Sequence, residues 1–328
     1  MIEIFFLGTA GSAPTTSQNL PAIALRIEGE IILLDAGEDI QRRYIQAGLG
    51  LNKKVTVLIS HMHADHVIGL PGMLYRFAMA ERTAPIEIYG PTALETYLRA
   101  VAQSLGLPQL ALKLFSISLP QGTSKIEHLI STKHFSVQFF RVDHRIEPAF
   151  GFKVIEATKP GKFYPERARA LNVPEGRLWG QLQKGETVKS TTGDIIYPHQ
   201  VLGDPRPGVS IVYSGDTRPC KNVLQASKNA TVLIHEATFL DEHHAKERGH
   251  TSAGEAARLA KQAGVKYLIL THFSNRHAKE LEILLDTAKA IFPQTILAED
   301  LLYLQVTGHS CTDISGDGDT LCESYPAP

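Results

Sequence analysis

The sequence predicts an α/β domain, and three observations carry that expectation. Short apolar runs that suit buried strands alternate along the chain with stretches whose apolar residues recur at helical spacing. Histidines and aspartates stand at the ends of several of those runs, where α/β proteins gather their ligands. The length, 328 residues, suits one large α/β domain or one with an appended arm.

Composition narrows the class. Hydrophobic residues make up 43% of the chain, as in ordinary soluble globular proteins. No stretch approaches the ~20 apolar residues of a membrane span, so no membrane partner is expected. The opening MIEIFFLGTAG lacks a basic segment and a cleavage site, and reads as a first strand and not a secretory signal. Cys220, Cys311 and Cys322 are odd in number and widely spaced, which argues against a disulfide framework and suits a reducing cytoplasm. None lies in a CxxC, so a cysteine zinc ribbon is not expected. With a net charge of −1, a nucleic-acid partner has to be held by a local patch and not by overall charge.

Taken in order, residues 2–7 read as a strand leading into Gly8-Thr9-Ala10-Gly11-Ser12-Ala13-Pro14. This is not GxGxxG and no helix follows at once, so it reads as a tight turn at the edge of a site, not a dinucleotide cradle. Residues 22–28 and 31–34 form a hairpin through Gly29-Glu30. Asp35 then opens a turn into a short helix ending near Gly48. As a turn carboxylate or as a group orienting a metal ligand, Asp35 fits equally well.

Residues 55–59 suit a buried strand, which Ser60 ends. His61, His63, Asp65 and His66 follow within six positions. In extended chain, residues two apart share a side, so His61 and His63 can grip one ion together. As the chain turns into a helix, Asp65 and His66 point elsewhere and can grip a second. Imidazole and carboxylate are usual zinc ligands, and this spacing fits a metal site far better than a scatter of surface histidines. HxHxDH after a buried strand resembles the signature of the metallo-β-lactamase superfamily, mostly hydrolases with one or two metals.

Residues 69–81 read as a helix, with Met73 and Met79 as core filler. Residues 86–89, 92–105 and 112–119 continue as strand, helix and strand. The strand at 133–143 ends at His144, with Asp143 beside it. A lone histidine is more often a core or surface residue, but this one ends an apolar strand as His61 does. After a strand at 150–156, residues 158–207 change texture: prolines, glycines and scattered cations, with the only tryptophan, Trp179. Some fifty residues without a clear core pattern exceed an ordinary connection. They read either as a solvated insertion with a small helix or hairpin, or as a protruding arm whose cations and glycine backbone touch phosphates. Interspersed acidic residues leave both readings open.

The strand at 209–213 delivers Asp216, whose two oxygens can bridge two cations. The strand at 232–234 ends in His235-Glu236-Ala237-Thr238. Ser252 and Glu255 form a capping-box pattern for a helix over 253–263, closed by Gly264. A strand at 267–270 ends at His272, a helix spans 278–291, and the last strand covers 301–306. Residues 307–328 read as a disordered acidic tail without EF-hand spacing.

The strand-end residues divide into His61, His63 and His144 on one ion, Asp65, His66 and His272 on another, and Asp216 between them. Each ion keeps an open position for water, as catalytic sites do. Two metals ~3.5–4 Å apart can activate a hydroxide and stabilise both oxygens of a phosphodiester displacement. Asp65 is placed to accept the water's proton. Zinc fits the set, and manganese could support the same geometry.

HMHADH, VDHR, SGDTRPC, HEATF, GHTSAGEAA, LTHFS and the AED at 298–300 resemble, in order and spacing, the motifs of the short-form ribonuclease Z (tRNase Z) family over about residues 1–306. The resemblance implies a metallo-β-lactamase-like four-layer αββα sandwich with a protruding flexible arm, at 158–207, that holds tRNA. It implies a cytoplasmic homodimer with two zinc ions per subunit. Such enzymes cut precursor tRNA after the discriminator nucleotide and leave a 3′-hydroxyl. It also makes His250 and Glu236 a candidate proton relay to the leaving oxygen. Without the resemblance, His250 is a loop histidine. The family's early loop often reads Pro-x-Lys-x-Arg-Asn, whereas residues 14–19 here read PTTSQN and carry neither cation. Two alternatives compete: a dinuclear hydrolase of small phosphodiesters or esters, and a non-enzymatic RNA-binding protein with a degenerate site. No GxSxG is present, so a serine hydrolase is excluded.

Overall fold

The structure, a computed structural model, describes residues 1–105 and 112–315. Two compact units emerge: Met1–Ile155 with Val209–Pro328, and Glu156–Gly208.

The larger unit holds two sheets. The first runs Cys311–Asp313, Tyr303–Val306, Ile2–Gly8, Ala22–Ile27, Glu30–Leu34, Val55–Leu58, Ile86–Pro91, Leu112–Ile117. The second runs Thr295–Leu297, Tyr267–Thr271, Val232–Glu236, Ser210–Tyr213, Phe150–Glu156, Phe135–Arg141, Ile126–Ser131. Alternation along each strand assembles the layers. In the first strand Ile2, Ile4 and Phe6 face Phe135, Phe152, Ile234 and Ile269 of the other sheet, whereas Phe5 and Leu7 join the opposite core. That second core takes Tyr44, Leu70, Met73, Leu74, Phe77 and Leu94 from helices. A third core packs Leu233, Leu268 and Leu270 under an alanine-rich helix, Ala253–Ala263. The result is the expected helix–sheet–sheet–helix sandwich.

The strands that carry the chemistry run parallel. Glu30–Leu34, Val55–Leu58 and Ile86–Pro91 do so in one sheet, and Ser210–Tyr213, Val232–Glu236 and Tyr267–Thr271 in the other. Their carboxyl ends therefore deliver Asp35, Ser60, Asp216 and His272 to one edge of the sandwich.

Several local expectations needed adjustment. Met73 is buried, but Met79 is 54% exposed. Six residues on from Met73, it has turned away from the stripe of Leu70, Met73, Leu74 and Phe77 that meets the sheet. The strand Ile126–Ser131 escaped the sequence reading, because at the sheet edge it mixes polar and apolar residues (IEHLIS) and is mostly half-buried. The helix expected over 278–291 starts later, as Leu281–Lys289, after a 3-10 turn at Asn275–His277. Within the region expected to be a tail, Cys311–Asp313 add an edge strand through register pairs such as Val306 with Cys311. Cys322 and the rest of the expected tail from residue 316 on lie outside the described residues.

The smaller unit contains helices Pro165–Ala170, Arg177–Gln183 and Pro198–Val201, with a strand pair Val188–Lys189 and Ile195–Ile196. It has its own core of Ala168, Val173, Trp179, Leu182, Val188, Ile196 and Val201. Trp179 Nε1 donates to Val173 O at 3.0 Å. The elements are so short that each contributes only one or two apolar residues, which leaves no periodicity to read. Arg167 lies 4.3 Å from the Tyr164 ring centre, and Arg169 5.2 Å from that of Trp179. The two ends of the segment are paired: Lys159 and Arg206 exchange backbone hydrogen bonds of 2.9 Å in both directions.

Candidate metal centre

The site begins with Asp35, a non-glycine residue at φ 60° that directly follows a strand. Aspartate tolerates this left-handed backbone better than most residues. Its Oδ1 accepts from the Ser60 amide at 2.7 Å. Its Oδ2 accepts from Ser60 Oγ at 2.8 Å and from the Tyr213 hydroxyl at 2.7 Å, and lies 2.7 Å from His66 Nδ1. Asp35 thus clamps the turn before His61 and fixes His66 with Nε2 facing the site, so the two roles left open in the sequence coincide.

The other rings are aimed in the same way. His144 Nδ1 donates to Gly249 O at 2.8 Å. That carbonyl is turned by a glycine at φ 88° capping the helix Glu242–Arg248. His61 Nδ1 meets Ser60 Oγ at 2.9 Å, and His272 Nδ1 meets Thr238 Oγ1 at 2.9 Å. His272 itself sits at φ 60°, and a Cβ on Gly11 would come within 2.7 Å of its ring. The early glycine turn therefore exists to let this imidazole in.

Two donor groups result. His61, His63, His144 and Asp216 form one, and Asp65, His66 and His272 the other. In the first, His63 Nδ1 lies 2.9 Å from His61 Nε2 and 3.1 Å from His144 Nε2. In the second, His66 Nε2 and His272 Nε2 are 3.3 Å apart, with Asp65 Oδ2 3.7 and 3.6 Å from them. Asp216 spans both: its Oδ2 is 3.4 Å from His66 Nε2 and 3.8 Å from His61 Nε2, and its Oδ1 is 3.3 Å from His272 Nε2. Zinc–nitrogen bonds of ~2.0–2.1 Å at tetrahedral angles hold neighbouring nitrogens about 3.3 Å apart. The side chains brought together therefore have the spacing and the chemistry of divalent-metal ligands.

The electrostatics suit a cation at this place. Asp216 Oδ1 is buried without a hydrogen-bond partner. Burial holds His61, His63 and His144 below the usual imidazole range, so their lone pairs are available. Burial also opposes charge on His66, but Asp216 and Asp35 outweigh it and raise it above that range. Burial pushes the Asp65 and Asp216 carboxyls up, and the surrounding imidazoles bring both below the usual range. The cluster suits a divalent cation where these side chains meet.

His250 sits at the rim, with its side chain 12% exposed and its Nδ1 2.9 Å from Glu236 Oε1. Burial disfavours its charge, yet the buried Glu236 carboxylate raises it to about 9. Glu236 is anchored by the amides of Thr217 and Thr238, at 3.0 and 3.1 Å, and by Thr238 Oγ1 at 2.6 Å. His250 Nδ1 is also 3.9 Å from Asp216 Oδ2, and these two residues with His272 form a third grouping that the sequence did not suggest.

The sequence reading assigned no role to Thr238, Thr217, Tyr213 or Ser12. Thr238 touches Glu236, His250 and His272 at once, and its place two residues after Glu236 was the available signal. The Ser12 amide donates to Asp65 Oδ2 at 2.8 Å, which no side-chain pattern can announce.

Residues 2–159 match the family described as Anti-Pycsar protein Apyc1, and residues 167–273 the beta-lactamase superfamily domain. The chain is 40% identical over 308 residues to a ribonuclease Z of Methanosarcina acetivorans, covering 93% of this chain and 98% of the relative. It is 39% identical to the ribonuclease Z of Methanosarcina mazei over the same shares. Among solved structures it resembles human tRNase Z, short form, at a TM-score of 0.66 and 26% identity, covering 93% of this chain and 99% of the other.

Proposed function

The chain belongs to the ribonuclease Z family, and from that membership we propose how its own residues remove the 3′ trailer from precursor tRNA. The observation that carries the mechanism is the convergence of six imidazole and carboxylate side chains on the buried, underpaired Asp216. His61, His63 and His144 would hold one zinc ion and Asp65, His66 and His272 a second, with Asp216 shared between the two groups. When bound, such a pair supplies Lewis acidity and an activated water at neutral pH.

The remaining work falls to side chains. Asp65, kept ionised by its imidazole neighbours and fixed by the Ser12 amide, accepts the proton of the attacking water. Glu236 holds His250 protonated, and His250 gives that proton to the departing 3′-oxygen. Thr238 and Thr217 keep Glu236 from turning away. The cut falls after the discriminator nucleotide and leaves a 3′-hydroxyl.

Residues 158–207 act as the tRNA-holding arm. Arg167 and Arg169, lying over Tyr164 and Trp179, present cations on rigid aromatic supports suited to phosphate contact. The enzyme works in the cytoplasm as a homodimer in which one subunit's arm serves the other's site. Cleavage of a 3′-extended, CCA-less precursor tRNA, mapped to the nucleotide, tests the reading. A cut after the discriminator that stops on chelation and returns with zinc supports it. A cut elsewhere, or one indifferent to chelation, removes the proposed mechanism.

A further inference from the structure

Beside His250 the larger unit leaves a cavity of about 150 Å3 that no proposed metal ligand lines. Its walls are Phe239, Leu240, Asp241, His244, Arg276 and His277. The Phe239 ring stands between the cavity and the site: its centre is 5.8 Å from that of His250, 5.0 Å from His244 and 6.1 Å from His277. A cavity of about 150 Å3 is the size that admits a benzene ring. One ring of a nucleobase therefore fits it, and its open side leaves room for the second ring of a purine.

The polar groups suit a heterocycle with hydrogen-bonding edges. His244 Nε2 is buried and lacks a hydrogen-bond partner. Asp241 caps the helix Glu242–Arg248 by accepting from the His244 amide at 2.7 Å, which fixes the backbone of that wall. His277 is tied to Glu280 at 2.7 Å, and the exposed Arg276 lies at the mouth. The Phe239 ring, the imidazoles of His244 and His277 and a fixed frame make a wall suited to stacking.

We propose that this cavity receives the nucleobase of the RNA residue whose 3′-oxygen leaves, that is, the last nucleotide retained in the product. The inference rests on the reading that the scissile bond lies at the cluster of proposed metal ligands whose rim His250 forms. Base and 3′-oxygen are carried by the same ribose, so a base beside Phe239 brings its own 3′-oxygen toward His250. Stacking on an aromatic ring tolerates any base. The site therefore registers the presence of a base more than its identity, and positions the scissile bond.

The test compares kcat/KM on a precursor tRNA with that on the same RNA made abasic at the last retained nucleotide, for wild type and Phe239→Ala. Wild type is expected to lose tenfold or more on the abasic RNA. Phe239→Ala is expected to lose a similar factor on the intact RNA and little more on the abasic one. The wild-type comparison needs no variant, so it stands even if Phe239→Ala does not fold. Equal cutting of both RNAs by wild type overturns the inference and leaves the proposed function intact. So does an equal loss by Phe239→Ala on both, which means that the ring only supports His250. Cleavage of neither RNA removes the proposed function, and this inference with it.

Discussion

Glu236, fully buried at a strand end, is useful only because three donors hold it and His250 answers its charge. Replacing His250 by Gln keeps size but removes the proton held at the rim. Cleavage of precursor tRNA is then expected to fall by about 10²–10⁴, the usual contribution of a general acid. Bis(p-nitrophenyl) phosphate, whose leaving group departs without a proton, is expected to lose much less, and parallel kinetics on the two substrates check this. At this scale the sequence was most informative where a residue type has few other uses. Four of the proposed ligands stand within one hexapeptide, and the others end strands. Contacts made by backbone were illegible: the Ser12 amide on Asp65 and the Gly249 carbonyl on His144 depend on chain direction, not on side-chain identity.

Among elements, the helix Ala253–Ala263 shows how local rules become packing. Ser252 Oγ accepts from the Glu255 amide at 3.2 Å while Glu255 Oε2 accepts from the Ser252 amide at 3.0 Å. The alanines behind this capping box let the helix lie close on the sheet. Ser252→Ala is expected to cost about 0.5–2 kcal/mol in chemical denaturation. Such caps and long periodic helices were legible in advance. The half-buried edge strand Ile126–Ser131 was not, since edge strands lack a clean alternation. In the first sheet, Glu3 takes two bonds from Arg26, at 2.6 and 2.7 Å, and one from Tyr303. Burial raises the Glu3 carboxyl, but these partners outweigh it and lower it from 4.5. A lowered carboxyl stabilises the fold above its unfolded value and loses that contribution as pH falls through the folded one. Glu3→Gln should therefore be less stable than wild type by up to ~1 kcal/mol at neutral pH, solvent screening of this partly exposed pair taken into account. The gap should close as pH drops below 4.5, as followed by calorimetry.

The whole molecule joins a sandwich, where ligands meet, to a segment with its own small core. The α/β alternation was legible because strands, helices and strand-end histidines agreed with one another, whereas the four-layer sandwich was implied by the resemblance of the motifs. The core of Glu156–Gly208 was not, because Trp179, Leu182 and Val201 come from elements too short for a pattern. Lys159 and Arg206 are already paired, so deleting residues 160–205 joins neighbours. The deletion is expected to abolish tRNA cleavage yet keep turnover of bis(p-nitrophenyl) phosphate. Equal loss of both in a folded protein counts against the arm. The most direct test of the central claim is the metal content of wild type and Asp216→Ala, measured alongside nucleotide-resolved cleavage of a CCA-less precursor tRNA. The account predicts two zinc ions per wild-type chain and one cut after the discriminator, with both metal and cut lost from the variant. An Asp216→Ala protein that keeps two ions and cuts at the wild-type rate would contradict it.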